Sequence, residues 1–173
     1  MRIIVIGSTG SGKTTLAREL AQRLGTAHVE LDALHWGPDW TARPLETFRQ
    51  STLYAIQDDA WVVDGNYRDV RDIVWPRAEL AVWLDYPFHV VLRRLVARTF
   101  KRARGREVLW NDNRERLLTQ FTSRDSIFLW LFKSFRRHKR EYAELFRQPE
   151  HAHITVVRLT SADQTRRWLD QQT

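Results

Sequence analysis

GSTGSGKT, Gly7 to Thr14, stands between the apolar run RIIVI, Arg2 to Ile6, and the helix-forming stretch TLARELAQRLG, Thr15 to Gly25. Its spacing, G-x-x-x-x-G-K-[ST], is that of a phosphate-wrapping loop when a strand precedes it and a helix follows. Both flanks meet the condition. The β-branched run reads as a buried parallel strand, and Leu16, Leu20 and Leu24 recur at helical spacing until Gly25 supplies a stop. A polyphosphate is multiply negative, so the loop over Gly7, Ser8, Thr9, Gly10, Ser11 and Gly12 would offer it backbone N–H groups at close range, and the helix start adds partial positive charge. Lys13 would reach the β- and γ-phosphates, and Thr14, with Thr15 beside it, supplies a hydroxyl for a magnesium ion. The expected ligands are ATP and Mg²⁺.

Working outward, further strands are expected at His28 to Leu31, Trp61 to Val63, Leu80 to Leu84 and Ile154 to Leu159. Helical patterns lie between them: Leu45, Phe48, Thr52 and Ile56 after Pro44; Val91, Leu92, Leu95, Val96 and Thr99 after Pro87; Arg114 to Phe121; and Asp125 to Phe146. Ser161 and Gln164 have capping-box spacing for a last helix. Strands alternating with helices imply a parallel sheet covered on both faces. The expectation is a three-layer α/β P-loop NTPase fold with five parallel strands, one domain over residues 1–173, and a helical lid insertion at about 93–140 with a joint near Gly105.

The 173 residues contain no cysteine, which excludes disulfides, thiolate metal sites and cysteine nucleophiles. The longest apolar run, Ile127 to Phe132, is far below the roughly 20 residues of a bilayer span. With the chain opening directly on a strand, the reading is a cytoplasmic protein with no membrane partner. A formal charge of +7 permits anionic partners such as nucleotides, nucleic acid or acidic lipid, and equally a basic surface that serves solubility.

Three aspartates close apolar runs, Asp32, Asp64 and Asp85, and ligands of open parallel sheets bind at the carboxyl ends of the strands. Asp32 opens LDALHW, where His35, Trp36 and Trp40 can wall an acceptor pocket and Asp32 can act as general base. Asp64 opens DGNYRDVR: the carboxylate joins Thr14 at the metal, Gly65, Asn66, Tyr67 and Arg68 face the acceptor, and Arg68 and Arg71 can grip an anionic group. Asp85, before Tyr86-Pro87, is expected to cap the next helix. His151 and His153 lack a third ligand at metal spacing and are read as incidental.

The phosphate loop, WVVDGNY, VWLDYP with its arginine-rich helix, and WNDNRE together resemble the small P-loop kinases related to adenylate kinase, of the group labelled topology modulation protein. The resemblance implies a lid whose arginines close over the transferring phosphoryl group, assigning that task to Arg94, Arg98 and one of Arg136, Arg137 and Arg140, with Arg137 the chosen candidate. It also makes Thr160-Ser161-Ala162 an adenine contact or a helix cap. Where adenylate kinases continue Asp-Gly with Phe-Pro-Arg, this chain has Asn66-Tyr67-Arg68, which argues against AMP as acceptor.

The leading expectation is an ATP- and Mg²⁺-dependent phosphotransferase on a small-molecule acceptor, with Lys13, Asp32, Arg94, Arg98 and Arg137 in the catalytic set. Two alternatives stay open. The basic clusters Arg93 to Arg106 and Lys133 to Arg140 admit nucleic acid, and the group's label suggests a nucleotide-regulated DNA-associated protein, yet the chain carries no helix-turn-helix, zinc-finger or ribbon signature. A plain ATPase would hydrolyse ATP without regard to any acceptor.

Overall fold

The structure is a computed structural model, and it describes residues 1–105 and 127–172. The expected helix Arg114 to Phe121, the motif WNDNRE and most of the break between Arg104 and Asn113 lie outside the described residues. Five strands are described: β1 (Arg2–Gly7), β2 (Ala27–Glu30), β3 (Trp61–Asp64), β4 (Leu80–Leu84) and β5 (Thr155–Leu159). They form one sheet in the order β2-β3-β1-β4-β5. Every pairing is parallel, with Val5 opposite Asp64 on one side and Val82 on the other.

Parallel strands need long crossovers, and helices supply them. The helices are α1 (Lys13–Leu24), α2 (Leu31–His35), α3 (Leu45–Ala55), α4 (Arg71–Val74), α5 (Phe88–Gly105), α6 (Ile127–Leu145) and α7 (Ala162–Leu169). Side chains alternate along β1: Ile3 and Val5 pack with Leu16 and Leu20 of α1, Leu95 of α5, Leu131 of α6 and Leu169 of α7. Ile4 and Ile6 face the opposite way, toward Phe48 of α3, Val74 of α4 and Trp75. Each of these apolar side chains contributes about 1.5–3 kcal/mol by leaving water, and with both faces covered the result is the three-layer α/β arrangement.

The local signals operate as their chemistry requires. α1 ends at Gly25, whose left-handed backbone (φ 61°) turns its N–H back to the carbonyls of Ala21 and Gln22. Ser161 Oγ accepts from the Gln164 N–H, while Gln164 Oε1 accepts from the N–H of Thr160, one residue earlier than a standard capping box.

Three expectations need correction. Leu45 is exposed; the inward face of α3 begins at Phe48 and continues through Thr52 and Ile56. β2 stops at Glu30 and the chain turns directly into α2, so Asp32 is a first-turn helical residue, not the end of a strand. Asp85 does not cap α5: its buried carboxylate is taken by Arg158 of β5 and Lys139 of α6. The described ends of the segment 93–140, expected as a helical lid insertion, belong to α5 and α6. Val91, Leu95 and Thr99 of α5 and Leu131, Ser134 and Tyr142 of α6 are buried, which anchors both helices in the core.

Candidate active site

β1 runs straight into the phosphate loop, and the backbone there is one that side chains would disrupt. Gly7 has φ 151°, and a Cβ on it would stand 2.6 Å from the Leu84 carbonyl oxygen and 2.9 Å from Ser11 Oγ. Within the loop the N–H of Ser11 donates to Ser8 O, and Gly12, at φ 97°, admits the chain to α1. Lys13 Nζ donates to Ser8 O at 3.2 Å, holding the ammonium over the loop. Desolvation lowers the Lys13 pKa and Arg98 adds to that, while Asp32, Asp64 and Glu30 oppose it. The ammonium therefore sits in a field that another pair of anionic oxygens would relieve.

Thr14 Oγ1 donates to Asp64 Oδ2 at 2.7 Å, and the other carboxylate oxygen, Oδ1, is 2.8 Å from His28 Nε2. Asp64 is buried. The sequence reading anticipated the Thr14–Asp64 pairing and missed His28, whose position on the neighbouring β2 is set by the parallel register Glu30 to Asp64.

An open cleft of ≈ 1130 Å³ extends from this loop. Thr9 to Thr15 form its floor, Asp32 and Glu30 stand at one side, and Arg94, Arg98 and Lys101 project from α5. Arg94 donates to Ser11 O at 2.8 Å, and its guanidinium lies 4.6 Å from the ring centre of Tyr86. Tyr86 Oη and Thr165 Oγ1 share a hydrogen bond of 2.5 Å, joining the turn after β4 to α7. Ala162 and Thr165 line the same cleft, while Ser161 is the cap of α7. The structure thus brings Arg94 and Arg98 to the phosphate loop. It does not bring Arg137 there: Arg136, Arg137 and Arg140 are exposed on α6 and outside the cleft lining.

The expected acceptor residues assemble around Asp32. Tyr67 Oη donates to Asp32 Oδ1 at 2.6 Å, and a side-chain hydrogen bond joins Tyr67 to Trp36. His35 packs against Trp36, Phe48 and Tyr67 with ring centres 4.7, 5.0 and 4.6 Å away, and burial lowers its pKa. Trp40 stands edge-on to Trp36 at 5.9 Å, at the tip of a small loop closed by the Trp36–Ala42 bridge. Asp39 and Trp40 there have φ of 52° and 55°. An aromatic residue in that region is unusual, and such strain persists only where its surroundings enforce it.

In the DGNY turn, several atoms expected to face the acceptor are committed to the framework. Gly65 has φ 137°, and a Cβ there would lie 2.7 Å from Leu31 Cβ, so the residue type is fixed by close approach. Asn66 Nδ2 donates to Gly7 O at 2.6 Å. Arg68 and Arg71 both bind Glu141 of α6, with Arg71 at 2.9 Å and Arg68 as close as 2.7 Å. Burial opposes the charge on Glu141, but these guanidinium bonds outweigh it and hold the carboxyl below its ordinary range. Nearby His138 is pushed down to about 4, chiefly by burial. His151 and His153 serve Trp75, one edge-on to its ring and the other beside its carbonyl.

A parallel sheet whose central strand feeds this loop, beside a cleft lined by a carboxylate and by arginines of a long helix, is the architecture of a P-loop kinase. Residues 3–173 match the AAA domain family, and the chain belongs to it. A shikimate kinase of Synechococcus elongatus is 30% identical over 135 residues, which cover 66% of this chain and 71% of that one. A gluconokinase structure from Sinorhizobium meliloti superposes with TM-score 0.54 at 17% identity over 98% of this chain and 89% of the other. A shikimate kinase structure from Bacteroides thetaiotaomicron gives 0.53 at 17% identity, covering 99% and 95%. The protein is a P-loop kinase, and the resemblance to small kinases holds. Among the described residues no helix is long and apolar enough to cross a membrane.

Proposed function

We propose that the protein transfers the γ-phosphoryl group of ATP to a hydroxyl of a small acceptor molecule, assisted by Mg²⁺. The observation that carries this reading is the placement of Asp32 in the same cleft as Lys13, the loop amides, Arg94 and Arg98. Phosphoryl transfer asks mostly for positioning and for cations around the moving group. The loop amides and Lys13 hold the phosphates, and Arg94 and Arg98 meet the charge that develops on the equatorial oxygens. Asp32 takes the proton from the acceptor hydroxyl as its oxygen bonds to the γ-phosphorus. The bond from that phosphorus to the bridging oxygen breaks, and ADP leaves.

The donor set fits magnesium. A threonine hydroxyl and a carboxylate oxygen 2.7 Å apart are hard oxygen ligands of the kind that bind Mg²⁺ together with water and phosphate. Among the described residues no group of three or more His, Cys, Asp or Glu forms a closed metal cage, which suits an ion held jointly by protein and nucleotide. When bound, Mg²⁺ neutralises phosphate charge. Thr14 and Asp64 would hold it, and His28 keeps the Asp64 carboxylate turned toward Thr14.

The arginines that suggested a nucleic-acid surface support the kinase reading instead, since Arg94 and Arg98 line the cleft. The deciding experiment is ADP release from MgATP across a panel that includes shikimate, gluconate, other hydroxy acids, sugars and nucleosides. One acceptor class is expected to raise turnover at least tenfold over water. Turnover equal to that with water throughout would leave a plain ATPase as the better description.

A further inference from the structure

The acceptor side contains a chain of contacts that no general account of phosphoryl transfer requires. Asp32 sits in the first turn of α2, half-buried, with one carboxylate oxygen taken by the Tyr67 hydroxyl at 2.6 Å. Tyr67 is itself held on every side. A hydrogen bond joins it to the Trp36 side chain, and its ring packs on His35 at 4.6 Å and on Phe48 at 5.2 Å. Its backbone belongs to the turn whose preceding residue, Asn66, is tied to Gly7 O of the phosphate loop.

A general base is efficient when its lone pair is aimed before the substrate arrives. A carboxylate on a short helix is free to rotate about its side-chain torsions unless one oxygen is engaged. The Tyr67 hydroxyl engages Oδ1, leaving Oδ2 for the acceptor. The tie of Asn66 to Gly7 O then holds the turn that carries Tyr67 against the phosphate loop.

We infer that Tyr67 is a positioning residue: its hydroxyl, braced by Trp36 and the His35–Phe48 packing, orients Asp32 for proton removal, and it does not itself bind the acceptor. This rests on the kinase reading and on Asp32 as the base. Burial and the Asp32 charge both push the phenol pKa upward, so Tyr67 remains a donor across the working range of pH.

The test uses the full chain labelled with [¹³Cζ]tyrosine, in which Tyr67 is one of four tyrosines and is assigned by the resonance lost in Tyr67→Phe. The Tyr67 signal is expected to stay at its protonated position beyond the ordinary tyrosine pKa of about 10, and in Asp32→Asn to begin titrating at lower pH. Titration at the ordinary value in the native chain would overturn the inference. In parallel, ADP formation from MgATP is followed with water as acceptor. Tyr67→Phe is expected to lower kcat about 10-fold with the KM for ATP unchanged, a loss typical of a misaligned base.

The double variant Asp32→Asn/Tyr67→Phe is expected to be no slower than Asp32→Asn alone, because the tyrosine acts only through the carboxylate. Additive losses would mean a separate role for Tyr67 and would overturn the inference, while leaving the kinase reading in place. Unaltered hydrolysis in Asp32→Asn would instead remove Asp32 as base and the inference with it. A fall in affinity for a non-hydrolysable ATP analogue in Tyr67→Phe, measured by calorimetry, would show a structural brace of the nucleotide site in place of a positioning residue.

Discussion

On the nucleotide side of Lys13 the cleft is shaped mainly by main chain: the loop from Gly7 to Gly12, the start of α1 and a carbonyl gripped by Arg94. Around Asp32, on the proposed acceptor side and behind the cleft lining, the contacts are made by side chains, with Tyr67 on Asp32, His35 among aromatic rings, and two arginines on Glu141. Backbone recognition suits a ligand part common to every nucleoside triphosphate. Side-chain recognition allows one hydroxylated molecule to be told from another, since an unpaired buried polar group penalises the wrong fit. The two halves meet at DGNY, where Asp64 reaches Thr14, Asn66 reaches Gly7 and Tyr67 reaches Asp32.

The contrast breaks most visibly at Lys13. If main chain alone held the phosphates, Lys13→Ala would be nearly silent; the expected result is a loss of turnover of about 100-fold or more with the fold intact by circular dichroism. Next comes Gly65→Ala, where main chain meets the acceptor side. The Cβ would face Leu31 Cβ at 2.7 Å from a backbone with φ 137°, so urea denaturation is expected to show a loss of about 2–4 kcal/mol. A variant as stable as the parent would mean that the turn relaxes freely and transmits nothing between the halves.

Glu141→Gln sharpens the side-chain half. Removing the charge that holds Arg68 and Arg71 is expected to lower stability by about 1–2 kcal/mol. Because the native carboxyl titrates below its unfolded value, its contribution is present above the unfolded pKa and is lost as pH falls through the folded one. The substitution should therefore flatten the acid limb of a Tm-against-pH curve. His138 acts in a higher window: with a folded pKa of about 4 against an ordinary 6.5, it stays neutral in the native chain while the unfolded chain takes up a proton. Stability should decline as pH falls from about 6.5 toward 4. His138→Gln should remove that part of the slope.

What the sequence made legible was local. The phosphate loop, α1 with its glycine stop, all five strands and the inward face of α5 rest on signals within a few residues of one another. The contacts that organise the site join residues far apart in the chain: His28 to Asp64 across 36 positions, Asn66 to Gly7 across 59, and Tyr67 to Asp32 across 35. Residue type announced that these groups can form hydrogen bonds without announcing with whom. Asp85 shows the same limit. Its place before a helix spoke for a cap, and only the sheet order, which sets β5 beside β4, brings Arg158 to it. Arg68 and Arg71 were read as open to an anion for the same reason, since Glu141 lies some 70 residues away.

β1 lies in the middle of the sheet, yet its neighbours on both sides come from much later in the chain: Arg2 pairs with Trp61 and Ile3 with Leu80. At a synthesis rate of about 5–20 residues per second, this strand waits several seconds on the ribosome before either partner exists. Its five consecutive buried residues, Ile3 to Gly7, have no edge to join in that interval. The strand that feeds the phosphate loop therefore reaches its place in the sheet only after β3 and β4 have been made.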